Sequence, residues 1–330
     1  MADELDLLRR ANPVPSGDPR FRDRPLDHHA ERRLTNLLLG ARAARGGGAS
    51  PARGWAWGIA ATVVVAALAL TLLLSGTTAP PAVAAPRPLV VRTGSAAVPL
   101  DRVADRAASA VDAPRLRRGT HVQTWSLAMT SGPGSRPPLT LPEERVVRWK
   151  ADGSHTELVV ATDPRRPGRP VITGGDDTPR TVEDGHVLSR RTYPPSWSDA
   201  PPEARPPHDA RRLRAYLEEI DPVEALNTPR LLDATAVLLD HWTPGGRESA
   251  ALVRLLADAP GLRPAGAVID RLGREGQAYV YDDPARSTRR MLILDPATGA
   301  VLGLEDTVTK GAPEYGVEAG DVMSYSAWMR

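Results

Sequence analysis

Leu262-Arg-Pro-Ala-Gly-Ala-Val-Ile-Asp270, Gly276-Gln-Ala-Tyr-Val-Tyr-Asp282, Arg289-Arg-Met-Leu-Ile-Leu294 and Ala300-Val-Leu-Gly-Leu-Glu-Asp-Thr307 are four short runs rich in apolar and β-prone residues. Between them stand Leu272-Gly-Arg-Glu-Gly276, Asp283-Pro-Ala285 and Asp295-Pro-Ala-Thr-Gly299. Runs of this length bounded by Gly, Pro and Asp read as strands, here a meander. Tyr325–Met329 adds a last strand.

Upstream the period changes to helical. Asp209 caps a helix through Ile220, Pro229–Trp242 carries Leu231, Leu232, Val237 and Leu238, and Gly245-Gly246 separates it from a helix over Arg247–Ala259. Thr162–Pro207 is dense in Pro and Arg and reads as a long irregular insertion with short strands at Val171–Thr173 and His186–Leu188. Before it, Thr120–Thr130 is β-prone. Glu144–Ala151 and Ser154–Ala161 flank Asp152-Gly153, a pair suited to a tight hairpin turn. Leu100–Val111 is a helix with Leu100, Val103, Ala104, Ala107 and Val111 on one side. The order of helix, strands, helices and strands predicts an α+β fold, a curved antiparallel sheet with helices on one face.

At the other end of the chain, Trp55-Ala-Trp-Gly-Ile-Ala-Ala-Thr-Val-Val-Val-Ala-Ala-Leu-Ala-Leu-Thr-Leu-Leu-Leu74 lies within an uncharged stretch bracketed by Arg53 and Arg87. A helix needs ~20 apolar residues to cross the hydrocarbon core, and Trp55 and Trp57 suit its headgroup edge. Arg42, Arg45 and Arg53 precede the segment closely and Arg87 alone follows at comparable distance, which places the N-terminus in the cytoplasm. The rival readings are a buried core helix and a signal peptide cut near Ala84. The 54 residues ahead of the apolar run are far too many for an ordinary signal n-region.

The expected organisation is therefore a cytoplasmic segment over 1–53, a transmembrane helix over 54–76, a Pro/Ala-rich tether over 77–97 and an extracytoplasmic domain over 98–330 with its insertion at 162–207. Residues 1–53 contain short amphipathic stretches, Ala2–Arg10 and Asp27–Ala44, which either dock on a cytoplasmic partner or lie on the inner leaflet.

Composition excludes several classes. The 42 basic and 40 acidic residues nearly cancel, which argues against a nucleic-acid binder. Every basic residue except Lys150 and Lys310 is Arg. With no Cys there are no disulfides, thiolate metal sites or Cys nucleophiles. No catalytic, cofactor or metal site is assigned. His28-His29 point about 100° apart on a helix and make poor joint ligands. Asp176-Asp177 lacks the spaced oxygens of a calcium loop, and Asp282-Asp283 reads as a turn. Gly132–Gly134 lacks the Lys of a phosphate loop. His121, His155, His186, His208 and His241 have no Ser or Asp motif around them. Trp125, Trp149, Trp197, Trp242 and Trp328 line an apolar cavity or, more simply, pack in the core or at its rim.

Leu5-Asp-Leu-Leu-Arg-Arg10, the Arg-flanked span, Trp149-Lys-Ala-Asp-Gly153, Ala259-Pro-Gly-Leu262, Asp270-Arg-Leu-Gly-Arg274 and Leu294-Asp-Pro-Ala-Thr-Gly-Ala-Val-Leu-Gly303 carry a resemblance. Together they resemble an uncharacterised actinobacterial family of single-pass membrane proteins with an extracytoplasmic domain. More distantly, the outer part is similar to the lipoprotein-carrier (LolA-like) fold, a half-open β-barrel closed by helices that periplasmic sensors controlling anti-sigma factors also use. That resemblance implies an apolar concavity for an acyl chain or peptide, and it speaks to fold more than to function. The expectation is a non-enzymatic sensor or regulator whose cytoplasmic helices contact a partner such as a sigma factor. The alternative is a membrane-tethered carrier of a lipid or other apolar ligand. A third reading, an envelope hydrolase using His and Asp on the long loops, has no motif behind it.

Overall fold

A computed structural model describes residues 86–110, 115–129, 137–174, 179–195, 198, 200–220, 222 and 225–329. The expected span at 55–74, the amphipathic stretches before it, His28-His29, Gly132–Gly134, Asp176-Asp177 and Trp197 lie outside these residues. Among the described residues no helix is long and apolar enough to cross a membrane.

The elements in chain order are α1 (Leu100–Ser109), β1 (Arg117–Ala128), β2 (Leu139–Trp149), β3 (His155–Ala161), β4 (Val171–Thr173), β5 (Arg180–Val182) and β6 (His186–Tyr193). There follow α2 (Ala210–Ile220), α3 (Thr228–His241), β7 (Trp242–Thr243), α4 (Gly246–Ala257), β8 (Arg263–Ile269), β9 (Glu275–Asp283), β10 (Thr288–Leu294), β11 (Val301–Val308), a short 3-10 turn (Pro313–Tyr315) and β12 (Val322–Trp328). The architecture is α+β. One large sheet runs in the order β6-β3-β2-β1-β12-β11-β10-β9-β8, with β7 paired to β1, and β4-β5 form a separate ribbon. Every pairing is antiparallel. The sheet joins two meanders, β1-β2-β3-β6 and β8 to β12, through the β1–β12 pair. Its path ends at β6 and β8, so no closed barrel forms.

The strand period of two sorts side chains onto two faces. On one face Val122, Tyr279, Leu292, Leu294, Leu304 and Trp328 share a core with residues from all four helices, among them Val103, Leu213, Leu232 and Leu252. On the other, Trp125, Val268, Ala278, Val280, Met291, Ile293 and Tyr325 form a second core. The helices thus occupy one face, as the sequence predicts.

Local chemistry explains where the helices start. In α1, Leu100, Val103, Ala104 and Ala107 fall on one buried stripe. Asp209 Oδ1 accepts the Arg212 N–H at 3.0 Å ahead of α2, and Asn227 Oδ1 accepts the Arg230 N–H at 3.1 Å at the start of α3. Such caps satisfy amides that have no partner inside the helix. The hairpin between β2 and β3 closes through Lys150 N–H to Ser154 O at 2.8 Å and Gly153 N–H to Lys150 O at 3.1 Å, with Gly153 at φ 81°. That is a three-residue loop ending in a left-handed glycine.

Candidate functional site

The largest departure from the sequence reading concerns residues 86–97, expected as part of a Pro/Ala-rich tether. They are built into the domain. Arg92 N–H donates to Ala267 O at 2.8 Å on the free edge of β8. Ala267 N–H donates to Ser95 Oγ at 2.9 Å, and that hydroxyl donates to Arg92 O at 2.7 Å. Tyr279 Oη donates to Val98 O at 2.8 Å from inside the helix-side core. Gly266, at φ 128°, permits the approach: a Cβ there would stand 2.6 Å from Ser95 Oγ and 3.0 Å from Val91 Cγ1. Leu89 and Val91 pack on the second core, half-buried. The docked stretch, residues 87–98, is called the strap below.

The strap's first residues close over a buried ion pair. Glu305 is 1% exposed and Arg271 6% exposed, and their charged ends are in contact. Leu89 N–H donates to Glu305 Oε1 at 2.8 Å, and Arg271 Nη2 donates to Arg87 O at 3.0 Å. Burial pushes the Glu305 carboxyl above its ordinary range, and the Arg271 guanidinium and the Leu89 N–H pull it back. The Arg271 guanidinium also lies over the Tyr325 ring, 5.1 Å from its centroid. Tyr325 in turn packs against Trp125 at 5.5 Å, and Arg165 covers Trp125 at 5.0 Å. Arg165 is held by Asp163 through bonds of 2.9 and 2.8 Å, and Trp125 Nε1 donates to Asp163 Oδ1 at 3.3 Å. The second core is therefore clamped at one end by the strap and at the other by the loop that follows β3.

A second constellation crosses the far end of the sheet. The rings of Trp149 and His155 stack at 4.1 Å and those of His155 and Tyr193 at 4.6 Å, on β2, β3 and β6. Arg118 caps this ladder 3.4 Å from the Trp149 ring centroid and pairs with Glu203 at 3.3 Å. Burial lowers the His155 pKa, with Glu157 opposing and Arg118 and Arg145 reinforcing the shift. The imidazole is therefore held neutral more firmly than a free one. Trp149 Nε1 and His155 Nδ1 are enclosed without a hydrogen-bond partner among the described residues.

Beside the ladder, residues 200–208 are tied down through Pro202 O, which accepts from Trp242 Nε1 and from Tyr216 Oη, both at 2.9 Å. They form one wall of a cleft of about 700 Å³ that also draws on the end of α1, residues 115–116 and the first turn of α4. Arg115, Arg205, Arg247 and His208 line it, with Glu248.

The residues singled out by sequence fall in different places. Trp125, Trp242 and Trp328 are core residues at 1%, 8% and 3% exposure, and Trp149 is the ladder's first ring. His121 contacts Glu144 on the neighbouring strand, His186 is exposed, and His241 is buried with Nδ1 3.0 Å from Val237 O. Asp282 and Asp283 are the last two residues of β9 and not the expected turn; Asp282 binds Arg263 and, at 2.7 Å, Arg289, while Asp283 is buried. The structure brings none of these His and Asp residues together as a catalytic set. Among the described residues no group of three or more His, Asp or Glu could hold a metal ion. Sequence reasoning missed Arg271, Glu305, Leu89 and the strap. The one available signal was Asp270-Arg-Leu-Gly-Arg274, read as a turn. Its Asp270 does take the Leu272 and Arg274 amides at 2.9 and 2.8 Å. Its Arg274 reaches out to Trp328 O at 2.7 Å and Leu302 O at 2.8 Å, and its Arg271 reaches the strap.

No protein family matches the chain and no curated protein matches it. Among solved structures, it is similar to the Pseudomonas aeruginosa MucA/MucB complex, at 14% identity over 69% of this chain and 53% of that chain, with a TM-score of 0.25. It is also similar to the dehydratase domain from the CurK module of the curacin polyketide synthase, at 9% identity over 69% of this chain and 78% of that one, with a TM-score of 0.11. The chain thus covers about half of the MucA/MucB chain it matches. At this distance, function rests on the molecule's own sequence and geometry.

Proposed function

We propose that this chain is a single-pass envelope protein acting as a sensor or regulator. Residues 55–74 would be its span, residues 1–53 a cytoplasmic segment that contacts a protein partner such as a sigma factor, and the open sheet a LolA-like half-barrel outside the membrane. The observation that carries the reading is the docked strap. If 55–74 crosses the membrane, fourteen residues (75–88) separate it from Leu89, and from there the chain is bonded to Glu305 on β11, Ala267 on β8 and Tyr279 on β9. A change in the sheet then bears on the strap, which leaves less free chain between the domain and the span than a tether reaching to residue 97 would. The alternative of a tethered carrier for an apolar ligand has less behind it. One face of the sheet is filled by four helices. The strap and the loop after β3 pack over much of the other.

The test is capture of partners by the full chain, tagged at its C-terminus and extracted from cell membranes, beside a variant lacking residues 2–53. The proposal expects a cytoplasmic protein with the full chain and not with the variant. Identical recoveries from both would count against a regulatory role for the segment.

A further inference from the structure

We infer that the cleft between α1, residues 205–208 and the first turn of α4 binds the phosphate group of a small amphiphilic ligand. Its volume of about 700 Å³ falls in the range of small-molecule sites. Three of its lining residues are the guanidinium-bearing Arg115, Arg205 and Arg247, and a fourth is His208. None of the three Arg has an ion pair or hydrogen bond among the described residues.

Among the described residues Arg102, Arg148 and Arg190 are unmatched as well, so what distinguishes these three is that they line one cavity. Arg118, Arg145, Arg165, Arg263, Arg271, Arg286, Arg289 and Arg290 are all matched to carboxylates. The chain is close to charge balance, so three unmatched guanidinium groups around one cavity are a local excess of positive charge. Among the described lining residues the one carboxylate is Glu248, which is buried and whose Oε2 accepts the Gly245 N–H at 3.2 Å. Three guanidinium groups against one carboxylate leave an excess of positive charge among these residues.

The ligand's chemistry follows from this lining. A planar fork of N–H donors matches phosphate oxygens two at a time, and several such forks favour a group carrying more than one charge. Gly245 and Gly246 add backbone without side chains on one side, and the amino end of α4 has the same sign of partial charge. Ala107, Ala108, Leu116, Pro206 and Pro207 supply uncharged wall, which suits an apolar or neutral body attached to the phosphate. The source is either a membrane phospholipid or a soluble phosphate ester. This site deepens the sensor reading by giving the signal a chemistry, but phosphate binding itself is measurable without any partner.

The experiment titrates the purified full chain, in a neutral detergent, with glycerol 3-phosphate and with dihexanoyl-phosphatidylglycerol by calorimetry. The comparison protein is Arg115→Gln/Arg205→Gln/Arg247→Gln, whose changes are all at exposed side chains. At least one probe should bind the unaltered chain, and its affinity should fall roughly 100-fold or more in the variant. Tighter binding of the short-chain lipid assigns the cleft to a phospholipid, and tighter binding of glycerol 3-phosphate assigns it to a soluble ester. Equal affinity in the unaltered chain and the variant, or no binding of either probe, overturns the inference. Phosphate binding without any effect on partner capture would leave the cleft standing and remove its link to signalling.

Discussion

The Arg271–Glu305 pair beneath the strap offers a sharp energetic test. Its side chains are 6% and 1% exposed, so neither charge can recover its hydration if the other is removed. In Glu305→Leu the guanidinium keeps Arg87 O at 3.0 Å and loses its counter-charge, and the Leu89 N–H loses its acceptor. Breaking one side of a buried pair costs about 3–5 kcal/mol. Each kcal/mol lowers the melting temperature of a domain this size by about 2–4 °C, so the single variant should melt roughly 10 °C lower. Replacing both partners, Arg271→Met with Glu305→Leu, removes the stranded charge and should recover most of the loss, leaving about 1–3 kcal/mol for the Leu89 N–H that still lacks an acceptor. Urea unfolding of the four proteins, followed by circular dichroism, closes the double-mutant cycle. The reasoning fails if Glu305→Leu costs less than about 1 kcal/mol, or if the double variant is no more stable than the single one.

Three further outcomes follow from local geometry. Gly299→Ala should destabilise by about 1–3 kcal/mol in the same unfolding assay, because Gly299 sits at φ 68° and its new Cβ would stand 2.8 Å from the Ala107 Cβ of α1. Asn227→Ala should cost about 1 kcal/mol through loss of the α3 cap, with the spectrum otherwise native. His155 has a folded pKa below its ordinary 6.5, so the stability that comes from keeping it neutral is present above that value and is lost as pH falls through the folded value. His155→Phe keeps a ring between Trp149 and Tyr193 and takes up no proton. Its melting temperature should therefore fall less than the parent's between neutral and mildly acidic pH, and parallel curves would contradict the assignment.

Much of the fold was legible from local patterns. The meander from Leu262 to Thr307 reads correctly because each run is apolar and each gap carries Gly, Pro or Asp, and the structure places β8 to β11 within a residue of those runs. The α2 cap at Asp209 and the Asp152-Gly153 turn were equally local. What escaped depends on partners far along the chain. The strap looks like a linker because Pro and Ala dominate its approach, while its bonds reach residues 172 to 216 positions away. Strand β6 was read as three residues, His186–Leu188, yet runs to Tyr193. It is an edge strand whose Arg190, Arg191 and Thr192 are exposed, so no apolar alternation marks it. Strand β2 starts at Leu139, ahead of the expected Glu144; Pro142 has no N–H to give a ladder and so weakens the strand pattern there. The structure accommodates Pro142 where β3 has not yet begun to pair, since that pairing starts at Glu143. The charged cleft was illegible for a related reason: Arg115, Arg205 and Arg247 are ordinary surface residues until the fold places them around one cavity.

The claim that the strap is built into the domain is tested most directly by hydrogen exchange of the full chain embedded in lipid bilayers, read peptide by peptide. The Leu89 and Arg92 amides, donors to Glu305 and Ala267, should exchange about as slowly as those of the neighbouring β8 and β9. Exchange at the rate of an unstructured peptide across residues 87–98, with β8 and β9 still protected, would show a free tether and contradict the account.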